Sequence, residues 1–395
     1  MAEAFDLNFR HLRALAAIAE AGNISAASRL VGLSQPALTQ GLAKLEHQFG
    51  AALFERRPQG MAQTAAGQAV LVRVQRAFER FSRALRSGRA NRADNRLTGA
   101  QVRAVLSLAE AGSFVGAAEA VGLSEPALHR AVKDLEALCA LPLVERRGRG
   151  VGLTGAGRRV ARALALGVAE LTAALEESAD RGGRLAIGAM ALSRSLLLPA
   201  TLAALAQKAP AAAIDVVEGS YLELVEALRD GSIDILIGAL REHPERDLVQ
   251  EPLFTDRLTI IGRAGHPLAA RRAGYQDLAA YPWIVARRAS GLLDRWQELF
   301  DKARMPRPHA PIHCGSVALI RGVLLRSDFL TLLSPDQVRA EIDAGLLAEL
   351  GSEIPDTART IGAITRRDWY PTELQRQFLT ELREVARDRE RNSEI

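Results

Sequence analysis

Apolar residues along the first fifty positions recur at helical spacing. Phe9, Leu12, Leu15, Ala16 and Ala19 fall on one face of a helix, and Gly22 ends it. Ser25 stands where the cap of a short second helix over 26–31 belongs. Gly32-Leu33-Ser34 makes a tight turn, because glycine adopts positive φ without a Cβ clash. Ser34 then caps a third helix with Pro36 in its first turn, where a missing N–H costs nothing. Leu38, Leu42 and Leu45 turn toward a core. After Leu53-Phe54, the run Glu55-Arg56-Arg57-Pro58-Gln59-Gly60 is a basic turn.

Three helices, a glycine turn before the third and a basic hairpin after it describe a winged helix-turn-helix. The pattern recurs ninety residues later without a gap. Gly32-Leu33-Ser34 returns as Gly122-Leu123-Ser124, Pro36-Ala37-Leu38 as Pro126-Ala127-Leu128, and Leu45-Glu46 as Leu135-Glu136. Glu55-Arg56-Arg57 returns as Glu145-Arg146-Arg147, and Thr64 as Thr154. Of the 59 positions from Leu7 to Ala65, 23 match their partners, which is one small domain present twice rather than a solenoid. Each copy runs into a longer helix. Leu71, Val74, Phe78, Phe81 and Leu85 step by three and four, as a coiled-coil seam does, and their counterparts are Ala161, Leu164, Val168, Leu171 and Leu175. The spacing leaves open whether these seams pair within one chain, pair between chains, or pack on their own domains.

From Arg184 the pattern changes. Apolar runs at 185–187, 213–217 and 233–237 alternate with helical stretches at 195–207 and 221–228. Further strands are expected at 257–262, 283–285, 329–333 and 360–365, and helices at 292–302, 317–325, 335–342 and 373–386. Such alternation predicts a parallel sheet that binds ligands outside the carboxyl ends of its strands. The fold class is therefore α+β and multidomain: two winged helix-turn-helix domains with long linker helices, then an α/β half.

Composition narrows the function. At about 100–200 residues per domain, 395 residues make two to four domains. No stretch reaches the roughly 18 apolar residues of a membrane span. The first ten residues, with Glu3, Asp6 and Arg10, lack the apolar core of an export signal, so the cytoplasm is expected. Cys139 and Cys314 alone exclude a disulfide framework and a four-cysteine zinc site. The formal charge of +5 is uneven: residues 1–180 hold 23 Lys/Arg against 17 Asp/Glu, and the remainder 28 against 29. Eight arginines against Glu79 and Asp94 lie in 67–96 alone. A basic N-terminal part suits a polyanionic partner.

The stretch from Ser25 to Thr64 strongly resembles the DNA-binding domain of LysR-type transcriptional regulators. Ala26-Ala27, Leu33-Ser34-Gln35-Pro36-Ala37-Leu38, Leu45-Glu46, Leu53-Phe54-Glu55-Arg56 and Thr64-Ala65-Ala66-Gly67 carry the likeness. The second copy resembles the same domain, whereas the usual family member has one. The C-terminal half resembles the family's effector domain, which is shaped like a two-lobed periplasmic binding protein; Arg184 to Gly188, Leu198-Pro199, Leu228 to Ile237 and Gly265-His266-Pro267-Leu268 carry that match. The run from Glu218 to Arg241 and Arg366-Arg367-Asp368-Trp369 look closest to the galactose-binding-protein regulators. The resemblance implies winged helices at 7–65 and 97–155, linker helices at 66–95 and 156–180, and an effector domain at 183–390. Its lobes would be 183–262 with 360–390, and 263–359. The implied partners are double-stranded DNA, a small-molecule effector, RNA polymerase, and further copies of the chain through linker helices and effector domains; no cofactor, metal or membrane is implied.

Residue chemistry assigns the sites. In copy one the DNA-facing set is Ser25, Ser34, Gln35, Pro36, Thr39, Gln40 and Lys44 with wing residues Arg56 and Arg57. Gln pairs with adenine in two contacts and Thr touches a thymine methyl. In copy two it is Ser124, His129, Arg130 and Lys133 with Arg146, Arg147 and Arg149. Arg130 suits guanine, but Glu125 opposes phosphate. The net charge of +3 on copy one against 0 on copy two makes copy one the primary reader. Copy two is then a second reader or a structural partner. For the effector, helix starts that suit an anion point to Ser193, Arg194, Ser195, Ser220, Tyr221, Arg241, Ser290, Ser316 and Ser334. The arginines suggest an organic anion and the subgroup suggests a sugar. The serines also read simply as helix caps.

Two decoys fall away. Gly150-Val151-Gly152-Leu153-Thr154-Gly155 matches a dinucleotide fingerprint but follows a basic turn instead of a βαβ strand, so it is the wing and the entry to the next helix. His309, His313 and Cys314 suggest a metal, but Pro306, Pro308 and Pro311 forbid the helix that would align the histidines. No nucleophile elbow, Walker loop or zinc-protease motif is present, so an enzyme is not favoured, and the repeated winged helix and the lack of an export signal argue against a solute-binding protein for transport.

Overall fold

The computed structural model describes residues 3–393 except 59, 86–95, 149, 179–181, 272, 288–290, 352–353 and 355–356. The chain forms two compact units: Met1–Arg184 with the short segments Ala211–Ala213 and Arg229–Gly231, and the remainder.

The first unit contains the same succession of elements twice. α1 (Phe9–Ala21), α2 (Ile24–Val31), α3 (Gln35–Phe49), hairpin β1 (Phe54–Arg57)–β2 (Gly60–Gln63) and α4 (Ala65–Leu85) come first. Then follow α5 (Gly99–Ala111), α6 (Phe114–Val121), α7 (Glu125–Cys139), β3 (Val144–Arg147)–β4 (Gly150–Leu153) and α8 (Gly155–Ser178). Each element of the second set starts ninety residues after its counterpart. The reason lies in contacts that both sets make. Glu46 Oε1 accepts from the N–H of Leu53 and of Phe54 at 2.8 and 3.2 Å, and Glu136 Oε1 does the same for Leu143 and Val144. Each carboxylate ties the hairpin to the third helix. Thr64 and Thr154 accept from the N–H of Gly67 and Gly157 at 2.9 Å. A Cβ on Gly67 would stand 1.9 Å from Leu53 O, and one on Gly157 2.0 Å from Leu143 O, so only glycine admits this approach. The fingerprint-like run places Gly150–Leu153 in an antiparallel hairpin with Val144–Arg147 and begins α8 at Gly155.

The long helices α4 and α8 pack against each other, so the seams pair within the chain. Facing residues fall on α8 as they rise on α4, which makes the pair antiparallel: Arg73 meets Glu177, Arg80 meets Glu170 and Phe81 meets Gly167. Leu71, Val74, Phe81 and Leu85 are buried with Ala161, Leu164, Leu171 and Leu175, as the stripe requires; Phe78 and Val168 are half-buried. The seam is not wholly apolar. Arg73 and Arg80 are buried, and so is Glu170. Glu170 takes Arg73 Nη1 at 3.0 Å, Arg76 Nε at 2.9 Å and Arg80 Nη2 at 3.2 Å; Arg73 Nε reaches Glu177 at 3.0 Å. Burial alone would lower the Arg73 pKa, but Glu177 and Glu170 outweigh it and raise it above its ordinary value.

The second unit is built on two five-stranded sheets. The first has the order β6-β5-β7-β14-β8, formed by β5 (Arg184–Ala189), β6 (Ala213–Glu218), β7 (Ile235–Ala239), β8 (Leu248–Asp256) and β14 (Arg359–Arg366). The second has the order β11-β10-β12-β9-β13, formed by β9 (Thr259–Arg263), β10 (Trp283–Val285), β11 (Ile312–His313), β12 (Leu330–Leu333) and β13 (Leu347–Leu350). The helices α9 (Ala191–Leu196), α10 (Leu198–Lys208), α11 (Tyr221–Asp230), α12 (Tyr275–Ala279), α13 (Gly291–Lys302), α14 (Val317–Leu324), α15 (Arg339–Asp343) and α16 (Glu373–Ser393) complete it. Both sheets are mixed, not parallel. β5 and β7 run parallel, but β14 is antiparallel to β7 and β8, and β9 is antiparallel to β12 and β13. Strand β8 was not expected, because Glu251-Pro252 interrupts its apolar pattern. Strand β9, placed in the first lobe by the sequence, pairs in the second sheet; an apolar run does not reveal which sheet it joins. Between 195 and 207 the single expected helix is two, α9 and α10, which begins with Leu198-Pro199.

Removing one partner of a buried ion pair costs about 3–5 kcal/mol, because the remaining charge stays desolvated. Glu170→Ala is therefore expected to lower unfolding stability by that amount in urea. Glu55→Ala, at an exposed pair with Arg57, should cost roughly 1 kcal/mol or less. Equal losses for both would overturn the role assigned to burial.

Candidate nucleic-acid interface and ligand cleft

The third helix of each repeat buries one face and presents another. Leu38, Gly41, Leu42 and Leu45 lie beneath α3, while Gln35, Pro36, Thr39, Gln40 and Lys44 are exposed. Ser34 caps it, accepting from Ala37 N at 3.4 Å. The second helix is capped by Asn23, not Ser25: Asn23 Oδ1 accepts from Ala26 N at 2.7 Å. Ser25 therefore sits inside the first turn, where its Oγ donates to Gln35 Oε1 at 3.0 Å and orients that side chain. Thr39 Oγ1 donates to Gln35 O.

In the second set Leu128, Val132 and Leu135 are buried, while Glu125, His129, Arg130, Lys133 and Asp134 are exposed. Ser124 caps α7. The His129 ring lies 4.9 Å from that of Phe114. Lys133 Nζ pairs with Glu136 Oε2 at 2.7 Å. Burial would raise the Glu136 pKa, but Lys133 and the N–H groups of Leu143 and Val144 hold it below the ordinary value. Both hairpins alternate. Arg57 pairs with Glu55 and Arg147 with Glu145, two residues apart on one strand face, while Arg56 and Arg146 are exposed on the other. Arg149 and Ser290 fall outside the described residues, as does the side chain of Arg194.

In the second unit a cavity of about 380 Å³ is lined from both sheets. Arg241, Arg287, Arg295 and Arg359 face it with Met190, Leu240, Val317 and Ile320, and none of its described lining residues is Asp or Glu. Arg241 is the expected residue that lines it, its guanidinium 4.3 Å above the Tyr221 ring. The other expected groups serve the fold locally. Ser193 Oγ is buried and donates to Met190 O and Ile237 O. Ser220 Oγ donates to Glu223, Tyr221 Oη to Glu245, and Ser334 Oγ, fully buried, to Asp256. Ser316 caps α14 between the lining residues Gly315 and Val317; Ser195 is exposed on α9 and lies off the cleft. Arg287, in a loop, Arg295, on α13, and Arg359, at the start of β14, are not among the expected residues, since an arginine carries no signature of the cavity it will face.

Arg359 Nε donates to Asp256 Oδ2 at 2.8 Å while Ser334 Oγ holds Oδ1 at 2.6 Å. Asp256 ends β8 of the first sheet, Arg359 begins β14 beside it, and Ser334 follows β12 of the second. Elsewhere, His313 lies in β11, and His309 O accepts from Trp283 N. The buried Cys139 thiol is pushed up to about 11 by burial and by Glu136. Among the described residues no helix is long and apolar enough to cross a membrane.

Comparison with known proteins places these features. The family described as bacterial regulatory helix-turn-helix protein, lysR family, matches residues 9–68 and 100–158, and the LysR substrate binding domain matches 178–387. The HTH-type transcriptional regulator GalR of Pseudomonas putida is 31% identical over 366 residues, 91% of this chain and 92% of that protein. The SDS degradation transcriptional activation protein of a Pseudomonas species is 32% identical over 276 residues, 67% of this chain and 89% of its own. Among solved structures, a full-length OxyR variant from Pseudomonas aeruginosa has a TM-score of 0.55 at 22% identity, covering 74% of this chain and 95% of that one. LysG of Corynebacterium glutamicum, with bound effector Arg, also has a TM-score of 0.55, at 21% identity, covering 73% and 97%. With both family models matched across the two units and a relative alike along nine-tenths of its length, the chain belongs to the LysR family of DNA-binding transcriptional regulators that carry an effector-binding substrate domain.

Proposed function

We propose that the chain is a cytoplasmic, one-component regulator, not an enzyme, in which a duplicated winged helix-turn-helix reads an operator and a two-lobed domain of the periplasmic-binding-protein type senses an organic anion. About a quarter of the chain has no counterpart in the solved relatives, which supports an added copy of the small domain. The observation that carries the reading is the outer face of α3. Gln35, Thr39, Gln40 and Lys44 stand exposed on a helix whose opposite face is fixed in the core, the placement that direct readout in a major groove requires. Arg56 and Arg146, set on the strand face opposite the Glu-paired arginines, are placed for phosphate. Ser25 and Ser34 position the reading helix. Copy one is the primary reader.

The cleft favours an anion over a neutral sugar. Four arginines and no carboxylate stand among its described lining residues, and although Arg359, Arg295 and Arg287 have acidic neighbours in Asp256, Glu298 and Glu223, Arg241 is held by an aromatic face instead. The apolar lining suits a carbon skeleton behind the acid group. An effector regulates only by favouring one arrangement over another. Asp256, bonded to residues of both sheets where the chain crosses between them, is the group whose partners would change on closure.

Gln35→Ala combined with Gln40→Ala is expected to cost roughly tenfold or more in affinity for the operator, at about 1–3 kcal/mol per bidentate base contact. Salt-dependent binding to unrelated DNA and the circular dichroism spectrum should stay the same. Fluorescence anisotropy checks this, and undiminished operator affinity would remove α3 from the reading. For the cleft, calorimetry against a panel of organic acids and sugars should find an acid, and Arg241→Ala should weaken it about tenfold or more, the loss of one charge-assisted hydrogen bond. Binding of a neutral sugar that ignores Arg241→Ala would refute the anion.

A further inference from the structure

From the seam between α4 and α8 we infer that the operator of this regulator is built of two unlike half-sites, one read by α3 and one by α7. This rests on the reading of the chain as a DNA-binding regulator. The ninety-residue offset sets each position of α4 against its counterpart on α8. Glu170 on α8 stands where α4 carries Arg80, and it faces Arg73, Arg76 and Arg80. Were α4 to pair with a second α4 in the same antiparallel register, an Arg80 would replace Glu170 and meet the same three arginines in the buried seam. Were α8 to pair with a second α8, Glu170 would face the counterparts of those arginines, which are Ala163, Leu166 and another Glu170. Neither like pair satisfies its buried charges, and a buried charge without a partner is strongly disfavoured.

Shape excludes the α4–α4 pair independently of charge. The Phe81 ring occupies the place of a Cβ on Gly167, with Cε1 2.3 Å from it. The counterpart of Gly167 on α4 is Ala77, whose Cβ would collide with that ring in an α4–α4 pair. The seam therefore selects unlike helices, and through them one copy of each winged domain. The rest of the unit follows an approximate twofold: α4 packs on α1 and α7, and α8 packs on α5 and α3, with Ser178 Oγ donating to Phe49 O at 2.8 Å. The two reading helices are thus presented as a matched pair on one scaffold, but their outer residues differ. Gln35, Thr39, Gln40, Ala43 and Lys44 stand opposite Glu125, His129, Arg130, Lys133 and Asp134, all exposed. Approximate twofold symmetry with unlike reading residues yields an inverted arrangement of dissimilar half-sites, in which the α7 half favours guanine through Arg130 and the α3 half favours adenine.

The test is selection of DNA from a random duplex pool by the full chain, followed by the same selection with Gln35→Glu, Thr39→His, Gln40→Arg, Ala43→Lys and Lys44→Asp, which give α3 the reading surface of α7. The wild type should enrich a bipartite sequence without internal symmetry, and the graft should turn it into an inverted repeat of the α7 half. Arg130→Ala should lower base preference in that half about tenfold or more and leave the other unchanged. A wild-type sequence that is already an inverted repeat, or that holds one half-site alone, overturns the inference while leaving the regulator reading intact. If the wild type enriches no sequence at all, the DNA-binding reading fails and this inference with it.

Discussion

The first unit depends on a carboxylate that three guanidinium groups share inside a helix seam. Glu170 and Arg73 are each almost wholly removed from water, at side-chain exposures of 7% and 3%. Desolvating such groups consumes most of what their attraction returns, so a seam filled with leucine would be at least as stable. What the ionic cluster adds is discrimination. An apolar stripe at three-four spacing accepts any other such stripe, and this chain carries two, ninety residues apart. Charge divided between them, three arginines on α4 against Glu170 and Glu177 on α8, makes the correct pairing the one in which every buried charge finds its opposite. The Phe81–Gly167 contact makes the same choice by volume.

That division explains what could and could not be read from the sequence. The ninety-residue repeat was legible because the positions it preserves answer to the backbone. At Gly67 and Gly157 a carbonyl oxygen lies where a Cβ would stand only about 2 Å from it, and Glu46 and Glu136 each receive two amide protons. Wherever the local geometry dictates the residue, both copies keep it. The partner of the seam was not legible, since Arg73 and Arg80 sit in a run of eight arginines that reads as a solvated basic face. Arginine is long enough to bury its stem and still reach an acid on another helix, and no periodicity announces that. The same blindness applies to the cleft, where Arg287 of a loop, Arg295 of α13 and Arg359 at the start of β14 converge.

In the second unit the misreadings share one cause. Alternating apolar runs identify strands but carry no information on direction or sheet membership. β14 joins the first sheet, as the expected return of the chain at 360–390 requires, but β9 joins the second, and both run antiparallel to neighbours where a parallel sheet is expected, because the chain crosses between sheets twice, near 256–259 and between β13 and β14. Crossing twice is what makes two lobes out of one stretch of sequence, and it brings Asp256 and Arg359 side by side where the strands return.

The two halves of the chain thus use arginine in opposite ways. In the helix seam the guanidinium groups meet acids at 2.9–3.2 Å, which fixes one arrangement. In the cleft the described lining residues supply positive charge with no Asp or Glu among them, and the carboxylate that Arg359 does meet, Asp256, is shared with Ser334 of the other sheet. A saturated cluster is suited to setting identity, because any change in it is expensive. An unsaturated one is suited to exchange, since an incoming acid can take over a partner that is already hydrogen-bonded and return the freed group to its neighbours at little net cost. On the reading proposed above, the same residue type specifies assembly in the seam and meets an effector in the cleft, and the difference lies in which carboxylates the fold brings within reach.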